Sequence, residues 1–180
     1  MSLLNISFLN EAIIEKNILE PNEVLNHVRK RLIENISQDG GQDGMDAILI
    51  CIDKVTNKIT YAAANNSPVI IGIDATGQRE IKNLPYDKMP VGKADNLSLF
   101  TLHALEAKKG DSLILCTDGF ADQFGGPKGK KFKYKQLSEK LVANGDKKMN
   151  EQKNLLEETF ENWKGNLEQV DDVLVIGIRI

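Results

Sequence analysis

Four carboxylates stand where apolar, strand-like segments begin or end, and they are the groups in this chain best suited to chemistry. Asp118 and Asp122 follow the apolar run at residues 113–115, whereas Asp171 and Asp172 precede the apolar segment that closes the chain. A carboxylate is costly to bury unpaired, so Asp118 beside a core strand needs a cation, a hydrogen-bond network or a shifted pKa. Acidic residues also form ordinary turns at strand ends, and spacing alone leaves that interpretation open.

Hydrolysis at phosphorus is the chemistry that such carboxylates could support. Mg²⁺ and Mn²⁺ prefer oxygen ligands and keep bound water, so carboxylates from separated strands can hold them. Two such ions about 4 Å apart can activate water and hold a phosphoryl oxygen. A covalent aspartyl intermediate would require a second acid two residues from the nucleophile. Positions 116 and 120 are Cys and Phe, which argues against that mechanism.

Length and composition predict an ordinary globular protein. The 180 residues are enough for one domain with a sizeable core, and 23 basic against 26 acidic residues give a net charge of -3. This balance gives no support to nucleic-acid binding. Cys51 and Cys116 lie in apolar runs, so we expect small buried hydrophobes rather than a disulfide or zinc ligands. Without a long apolar run or a secretory leader, we expect a cytoplasmic chain with no membrane association.

The positions of apolar residues predict helices at both ends and strands in the middle. The first helix should cover residues 3–18, and a second should open at Pro21, before a glycine-rich surface break at residues 37–44. Two further amphipathic helices are expected at about 133–143 and 148–164. We expect His27, His103 and Trp163 to be structural side chains rather than ligands or substrate platforms.

Between these helices, short apolar segments predict an antiparallel sheet. Residues 47–52 read as a strand buried on both faces that forms a hairpin with residues 59–64, and residues 69–73 read as the resumption of that second strand. Further strands are expected at residues 98–106, at the apolar run before Asp118, and at residues 173–180. Runs of strands followed by runs of helices favour a single α+β domain over residues 1–180.

Four segments, in order, carry a family resemblance. They are residues 59–68, 88–92, 109–119 (KGDSLILCTDG) and 169–176 (QVDDVLVI). Together they resemble the SpoIIE/RsbU-like branch of the metal-dependent PPM protein phosphatases. The resemblance implies an antiparallel β-sandwich flanked by helices. It also implies hydrolysis of phosphoserine or phosphothreonine by water bound between two Mn²⁺ or Mg²⁺ ions.

The resemblance also assigns roles to the four aspartates. Asp118 matches a metal ligand, Asp171 matches a ligand of the second metal, and Asp122 matches a position that helps to hold a third, weaker metal in some members. Asp172 is expected to orient the loop. The implied partner is a phosphorylated regulatory protein of the anti-sigma-antagonist type, with a sensory domain upstream in the full-length protein.

Two departures from the family pattern shape the expectations. The upstream strand with its bridging aspartate, and the glycine–histidine segment after it, are not found in this chain, and Asn65-Asn66 stands where Gly-His is usual. We therefore expect a C-terminal portion of the domain, without its N-terminal strands, that binds Mn²⁺ weakly and has little activity. Missing strands would expose sheet edges and favour a homodimer.

Two alternatives remain open at this stage. The chain could be a non-catalytic protein-interaction module with the same fold. The basic loop at residues 125–131 could steer a phosphoprotein towards the carboxylates, or it could be a solvated connection to the next helix.

Overall fold

The computed structural model describes residues 2–36, 44–56, 58–95 and 97–180. Its α-helices are α1 Ser2–Asn10, α2 Pro21–Ile36, α3 Gly119–Asp122, α4 Tyr134–Ala143 and α5 Met149–Lys164, and a π-helical turn, Glu11–Glu15, follows α1. Its strands are β1 Gly44–Met45, β2 Ala47–Ile52, β3 Ile59–Ala64, β4 Val69–Ile73, β5 Arg79–Asn83, β6 Val91–Gly92, β7 His103–Ala104, β8 Ser112–Cys116, β9 Phe124–Gly125, β10 Lys130–Lys131 and β11 Val175–Arg179.

The chain forms two compact units, each with its own core. Unit 1 contains Met1–Ser67 and Pro85–Glu106, and unit 2 contains Pro68–Leu84 and Ala107–Ile180. All four candidate carboxylates belong to unit 2. The single domain over residues 1–180 stays a prediction.

In unit 1, two helices cover a small antiparallel sheet. Strands β2, β3 and β7 pair in that order, with Ala47 opposite Ala64 and Ile52 opposite Ile59. The apolar stripe of α2 is buried as its helical spacing predicts, and it packs with side chains from α1 and β3. This core comprises Phe8, Ala12, Val24, Leu25, Val28, Leu32, Ala62, Ala64, Met89, Val91 and Phe100. The predicted hairpin is confirmed, although β2 is half-buried rather than buried on both faces.

The strand predicted at residues 98–106 is wrong for most of its length, because only β7 pairs, with β3. In the residues before β7, side-chain oxygens accept hydrogen bonds from backbone N–H groups. The Phe100 N–H donates to Asn26 Oδ1 at 3.0 Å, and the Thr101 N–H donates to Asp87 Oδ2 at 2.8 Å. Such local bonds compete with a strand ladder. The glycine-rich break lies outside the described residues except for Gly44, which pairs with Gly92.

In unit 2, a four-stranded antiparallel sheet supports the candidate site. Its order is β11-β8-β4-β5, so the strand that leads to Asp118 lies inside the sheet and the closing strand lies at an edge. Helices α4 and α5 follow their predicted ranges closely. The buried core of this unit comprises Ile71, Ile114, Phe120, Phe132, Leu137, Leu141 and Phe160.

Strand β4 does not resume β3, so that expectation is wrong. It pairs with β5 and β8 in the second sheet. Asn65 has a φ of 54°, a left-handed conformation that asparagine tolerates better than most residues, and Pro68 has no N–H for a ladder. The chain therefore leaves the first sheet at this turn.

The predicted α+β class with antiparallel sheets is confirmed: every named strand pairs antiparallel with its neighbours. Within the described ranges, no helix has both the length and the apolar composition needed to cross a bilayer.

Candidate metal site

Asp118 lies at the point where an internal strand becomes a helical turn. Residues 113–115 are apolar and hold β8 in the core, and α3 begins immediately after the aspartate. The Asp118 side chain is exposed and makes no capping hydrogen bond to this short helix. The sheet therefore fixes the backbone of Asp118, and the exposed carboxylate can bind a ligand.

Thr117 joins the two segments that carry the candidate ligands. Its hydroxyl donates to the Asp172 carbonyl oxygen at 2.8 Å and accepts from the Leu174 N–H at 2.9 Å. Its own N–H donates to the Leu174 carbonyl oxygen at 3.0 Å. These bonds extend the contact between β8 and β11 beyond the paired residues, and they bring the segment with Asp171 to the strand end with Asp118.

Gly119 allows the same two segments to approach closely. A Cβ atom added at this position would lie 2.5 Å from the Asp172 carbonyl oxygen, a distance that real side chains do not show. The glycine after Asp118 is thus required by the close approach of the Asp172 backbone.

The Asp171 carboxylate is partly engaged by its own turn. Its Oδ1 accepts the Asp172 N–H at 2.7 Å, and its carbonyl oxygen accepts from Gln169 Nε2 at 2.8 Å. The side chain is otherwise exposed, which leaves Oδ2 for a cation. Asp172 contributes its backbone to the contact with Thr117, in keeping with the expected role of orienting the loop.

Gln123 fixes the chain just before this turn. Its side chain is completely buried, donates to the carbonyl oxygens of Phe124 and Glu168 at 3.0 and 2.9 Å, and accepts from the Val170 N–H at 3.3 Å. Its carbonyl oxygen accepts from the Trp163 indole N–H at 3.0 Å. Trp163 is thus a packing residue, as predicted, whereas the importance of Gln123 was not predicted.

Asp122 faces a lysine. Its Oδ2 lies 2.9 Å from Lys131 Nζ, and both side chains are nearly half exposed. Its backbone N–H donates to the Asp118 carbonyl oxygen at 2.9 Å, one helical turn away. Of the three candidate ligands, Asp122 is the one whose carboxylate already has a cationic partner.

The Asp118 carboxylate influences the pKa of a nearby cysteine thiol. Burial, and then the nearby Asp118 carboxylate, raise the pKa of the Cys116 thiol. The thiol therefore stays protonated at neutral pH, as expected for a small core side chain. Neither cysteine is in a disulfide, and both are partly buried.

A divalent cation fits Asp118 and Asp171 better than it fits Asp122. Two exposed carboxylates at one strand end match the preference of Mg²⁺ and Mn²⁺ for a few oxygen ligands completed by water. Among the described residues, however, no group of three or more His, Cys, Asp or Glu side chains is close enough together to hold a metal. The arrangement supplies part of a ligand set, and the metal-binding roles of the three aspartates stay predictions.

A cavity of about 660 Å³ lies in unit 2. It lies along α5 and the strands β8 and β11, and Phe120, Leu156, Phe160 and Val175 form much of its apolar wall. None of the four aspartates lines it. The two histidines belong to unit 1, where His27 faces Glu11 at 3.2 Å and His103 stacks on Tyr61.

Comparison with known proteins gives this geometry a family. Residues 2–180 match the family model described as "Stage II sporulation protein E (SpoIIE)". The chain is similar to the solved PP2C domain of SiaA from Pseudomonas aeruginosa, with 23% identity, a TM-score of 0.84, and coverage of 100% of this chain and 69% of that one. No curated protein matches the sequence.

Two longer solved proteins share the fold. One contains the PP2C phosphatase domain and a regulatory fragment of SpoIIE from Bacillus subtilis, with 18% identity, a TM-score of 0.67, and coverage of 98% of this chain and 48% of that one. The other contains RsbU and RsbW domains from Mycobacterium tuberculosis, with 17% identity, a TM-score of 0.69, and coverage of 99% and 46%. The chain thus spans less than half of either, and it shares the fold of PP2C phosphatase domains. Because the family match extends over nearly its whole length, the chain belongs to the SpoIIE family.

Proposed function

We propose that this chain provides two aspartate ligands, Asp118 and Asp171, of a metal-dependent phosphatase that acts on phosphoserine or phosphothreonine in a signalling protein. The observation that carries the proposal is that the Thr117 hydroxyl donates one hydrogen bond to the Asp172 carbonyl oxygen and accepts another from the Leu174 N–H, which joins the ends of the two ligand-bearing segments. Family membership supports the reaction type, and a solved B. subtilis SpoIIE phosphatase domain is described as presoaked with Mn.

The chemistry follows from what the chain's own groups can do. Asp118 and Asp171 would bind Mn²⁺ or Mg²⁺, which supplies a water nucleophile and neutralises phosphoryl oxygens when bound. The sheet and Thr117 hold together the backbone segments that carry the two carboxylates, so little backbone ordering is needed when the cation arrives. Without a cation, the two negative charges repel each other.

A second part of the proposal concerns Mn²⁺ affinity and activity, and it follows from the incomplete ligand set. Because fewer than three ligating side chains converge among the described residues, these 180 residues alone should bind Mn²⁺ weakly and turn over little phosphopeptide. Octahedral cations compensate for missing ligands with water, at a cost in affinity.

Mn²⁺ titration followed by electron paramagnetic resonance tests the ligand assignment without any need for activity. We expect weak binding that Asp118→Asn and Asp171→Asn each reduce by at least about tenfold, as loss of coordinating support does elsewhere. Asp146→Asn, a surface aspartate of the same unit, is the matched control and should bind as the wild type does. Equal binding by all four proteins would remove these aspartates from the site.

Turnover of a phosphoserine peptide in Mn²⁺ tests the second part. We expect a rate barely above that of Asp118→Asn. A rate normal for an enzyme would contradict the expectation of an impaired chain, and it would strengthen the assignment of the reaction. No Mn²⁺ binding at all would instead favour a non-catalytic interaction module that keeps the fold.

A further inference from the structure

We propose that the lysine hairpin, defined as residues 124–135, is a docking surface for an acidic segment of the protein substrate. It consists of β9, a turn at residues 126–129, β10 and the start of α4, and its lysines are Lys128, Lys130, Lys131, Lys133 and Lys135. The inference rests on the proposed function, because it assigns a substrate class to the same site.

The base of the hairpin is firmly anchored. Phe132 is buried, and its ring lies 5.2 Å from those of Phe120 and Trp163 in edge-on contacts. The Phe132 N–H donates to the Gln123 carbonyl oxygen at 3.0 Å, and the Lys133 N–H donates to the Ala121 carbonyl oxygen at 2.7 Å. The lysines therefore project from a fixed ribbon, which lowers the entropy cost of binding a partner.

Two glycines allow the ribbon to lie against α5. The Gly126 N–H donates to the Trp163 carbonyl oxygen at 2.8 Å. A Cβ atom at Gly125 would overlap that carbonyl oxygen, and one at Gly126 would lie 2.6 Å from the Trp163 ring. Gly126 also has a φ of 64°, which glycine adopts without strain. The Gly-Gly pair thus sets the position of the charged ribbon on the helix.

The hairpin is strongly basic in an acidic chain. Its twelve positions hold five lysines and no carboxylate, whereas the whole chain has a net charge of -3. All five lysines are exposed. Of these five, only Lys131 forms an ion pair within the described part of the chain, and its partner is Asp122. Within the described ranges the other four ammonium groups form no ion pair, so an acidic partner would relieve their mutual repulsion and be steered towards them.

One lysine of the hairpin is held by a carboxylate that lies one helical turn after the candidate metal ligand Asp118. Asp122 connects the two features, because its backbone N–H bonds to the Asp118 carbonyl oxygen while its side chain holds Lys131. In this arrangement Asp122 acts as the counter-ion of Lys131. In the proposed complex, the phosphoresidue binds near Asp118 and its neighbouring residues lie along the hairpin.

A short acidic peptide suits this surface better than a long polyanion does. A long nucleic acid would extend beyond the five lysines onto a chain whose net charge is -3 and whose unit 2 also carries Asp118, Asp171 and Asp172, and these negative charges would repel it. An acidic segment of a few residues can match the lysines and end before the aspartates. We therefore infer that the partner is a protein segment. Tighter binding of a nucleic acid would contradict this.

Peptide binding without metal separates this inference from the proposed function. Fluorescence anisotropy in EDTA would compare two labelled phosphoserine peptides of equal length, one with acidic and one with neutral flanking residues. The variant Lys128→Gln/Lys130→Gln/Lys135→Gln removes three charges, and Lys109→Gln/Lys148→Gln/Lys153→Gln is its matched control, with three exposed lysines outside the hairpin in the same unit. Circular dichroism would verify that both variants fold.

We expect the acidic peptide to bind the wild type and the control variant with similar affinity, and the hairpin variant about fivefold more weakly, as the loss of three exposed charge contacts implies. Binding to the wild type should also weaken as salt rises. Equal affinity for both peptides, or equal affinity of both variants, would overturn the inference. Tighter binding of a single-stranded oligonucleotide of matched charge would also overturn it. Because no metal is present, absence of phosphatase activity would leave this result unaffected.

Discussion

The Thr117 hydroxyl donates a hydrogen bond to the Asp172 carbonyl oxygen across 2.8 Å, and this contact joins segments that lie more than fifty residues apart in the sequence. The same hydroxyl accepts the Leu174 N–H at 2.9 Å. A single threonine side chain therefore closes the strand end at which the candidate ligands Asp118 and Asp171 are placed.

Replacing Thr117 with valine should weaken both stability and metal binding. Valine keeps the shape but removes both bonds, and the expected loss of unfolding free energy is about 1 kcal/mol. Urea denaturation and Mn²⁺ titration would measure the two effects. Thr117→Ser keeps the hydroxyl and is the control. A valine variant that binds Mn²⁺ like the serine variant would show that this contact does not position the ligands.

Replacing Gln123 with leucine should loosen the segment that leads to Asp171. The change leaves the Glu168 carbonyl oxygen and the Val170 N–H without their buried partner, at an expected cost of about 1–3 kcal/mol. Gln152→Leu is a matched control, since Gln152 is similarly buried but donates to the Lys147 carbonyl oxygen, away from the site. Mn²⁺ binding should fall in the Gln123 variant and stay unchanged in the Gln152 variant. Equal losses of stability and unchanged Mn²⁺ binding would contradict this role.

Asp74 should make stability depend on pH. A hydrogen bond from the Thr76 hydroxyl, followed by backbone bonds from Gln78 and neighbouring residues, holds the pKa of Asp74 below its ordinary value of 3.8. A lowered pKa in the folded state stabilises the protein above the unfolded pKa, and this contribution is lost as pH falls through the folded value. Asp74→Asn should therefore unfold at lower urea than the wild type near neutral pH.

At a pH well below 3.8 the Asp74→Asn and wild-type midpoints should converge, since asparagine resembles the protonated acid. Asp146→Asn, outside the turn, serves as the control. A difference between Asp74→Asn and the wild type that persists unchanged into strong acid would show that the carboxylate charge is not responsible.

Strand β11 should support self-association through its free edge. Among the described residues it pairs only with β8, and Leu174 and Ile176 are 54% and 42% exposed. Open strand edges invite pairing with a second copy. We expect a dimer in analytical ultracentrifugation that Ile176→Lys converts to a monomer. Ile73→Lys, at an exposed isoleucine of the internal strand β4, should leave the dimer intact. A wild-type protein that sediments only as a monomer would contradict this prediction.

Much of the fold follows from apolar periodicity. The stripe of α2 and the continuous apolar run of β8 are local patterns, so the ranges of these two elements were predicted well. Strand β4 and residues 98–106 were not, because sheet membership is decided by long-range pairing and by side chains such as Asn26 that replace a ladder. Nothing in a local window shows which sheet a strand will join.

Part of the candidate site could also be predicted from local sequence patterns. Asp118 and Asp171 stand out as acids beside apolar strands and in recognisable motifs. Other features of the site depend on tertiary contacts, which a local sequence pattern does not show. They are the connecting role of Thr117, the buried bonds of Gln123 and the pairing of Asp122 with Lys131. For Thr117, its place immediately before the aspartate at a strand end was the only available signal.

The only tryptophan of the chain lies where the hairpin, α5 and Gln123 meet. Its indole N–H bonds to the Gln123 carbonyl oxygen, its ring packs edge-on against Phe132, and its backbone carbonyl oxygen accepts from Gly126. Displacement of the ribbon would change both the hydrogen bond and the polarity around the indole. The protein thus carries its own fluorophore, and a shift in emission on adding an acidic peptide would report the state of the hairpin without any attached label.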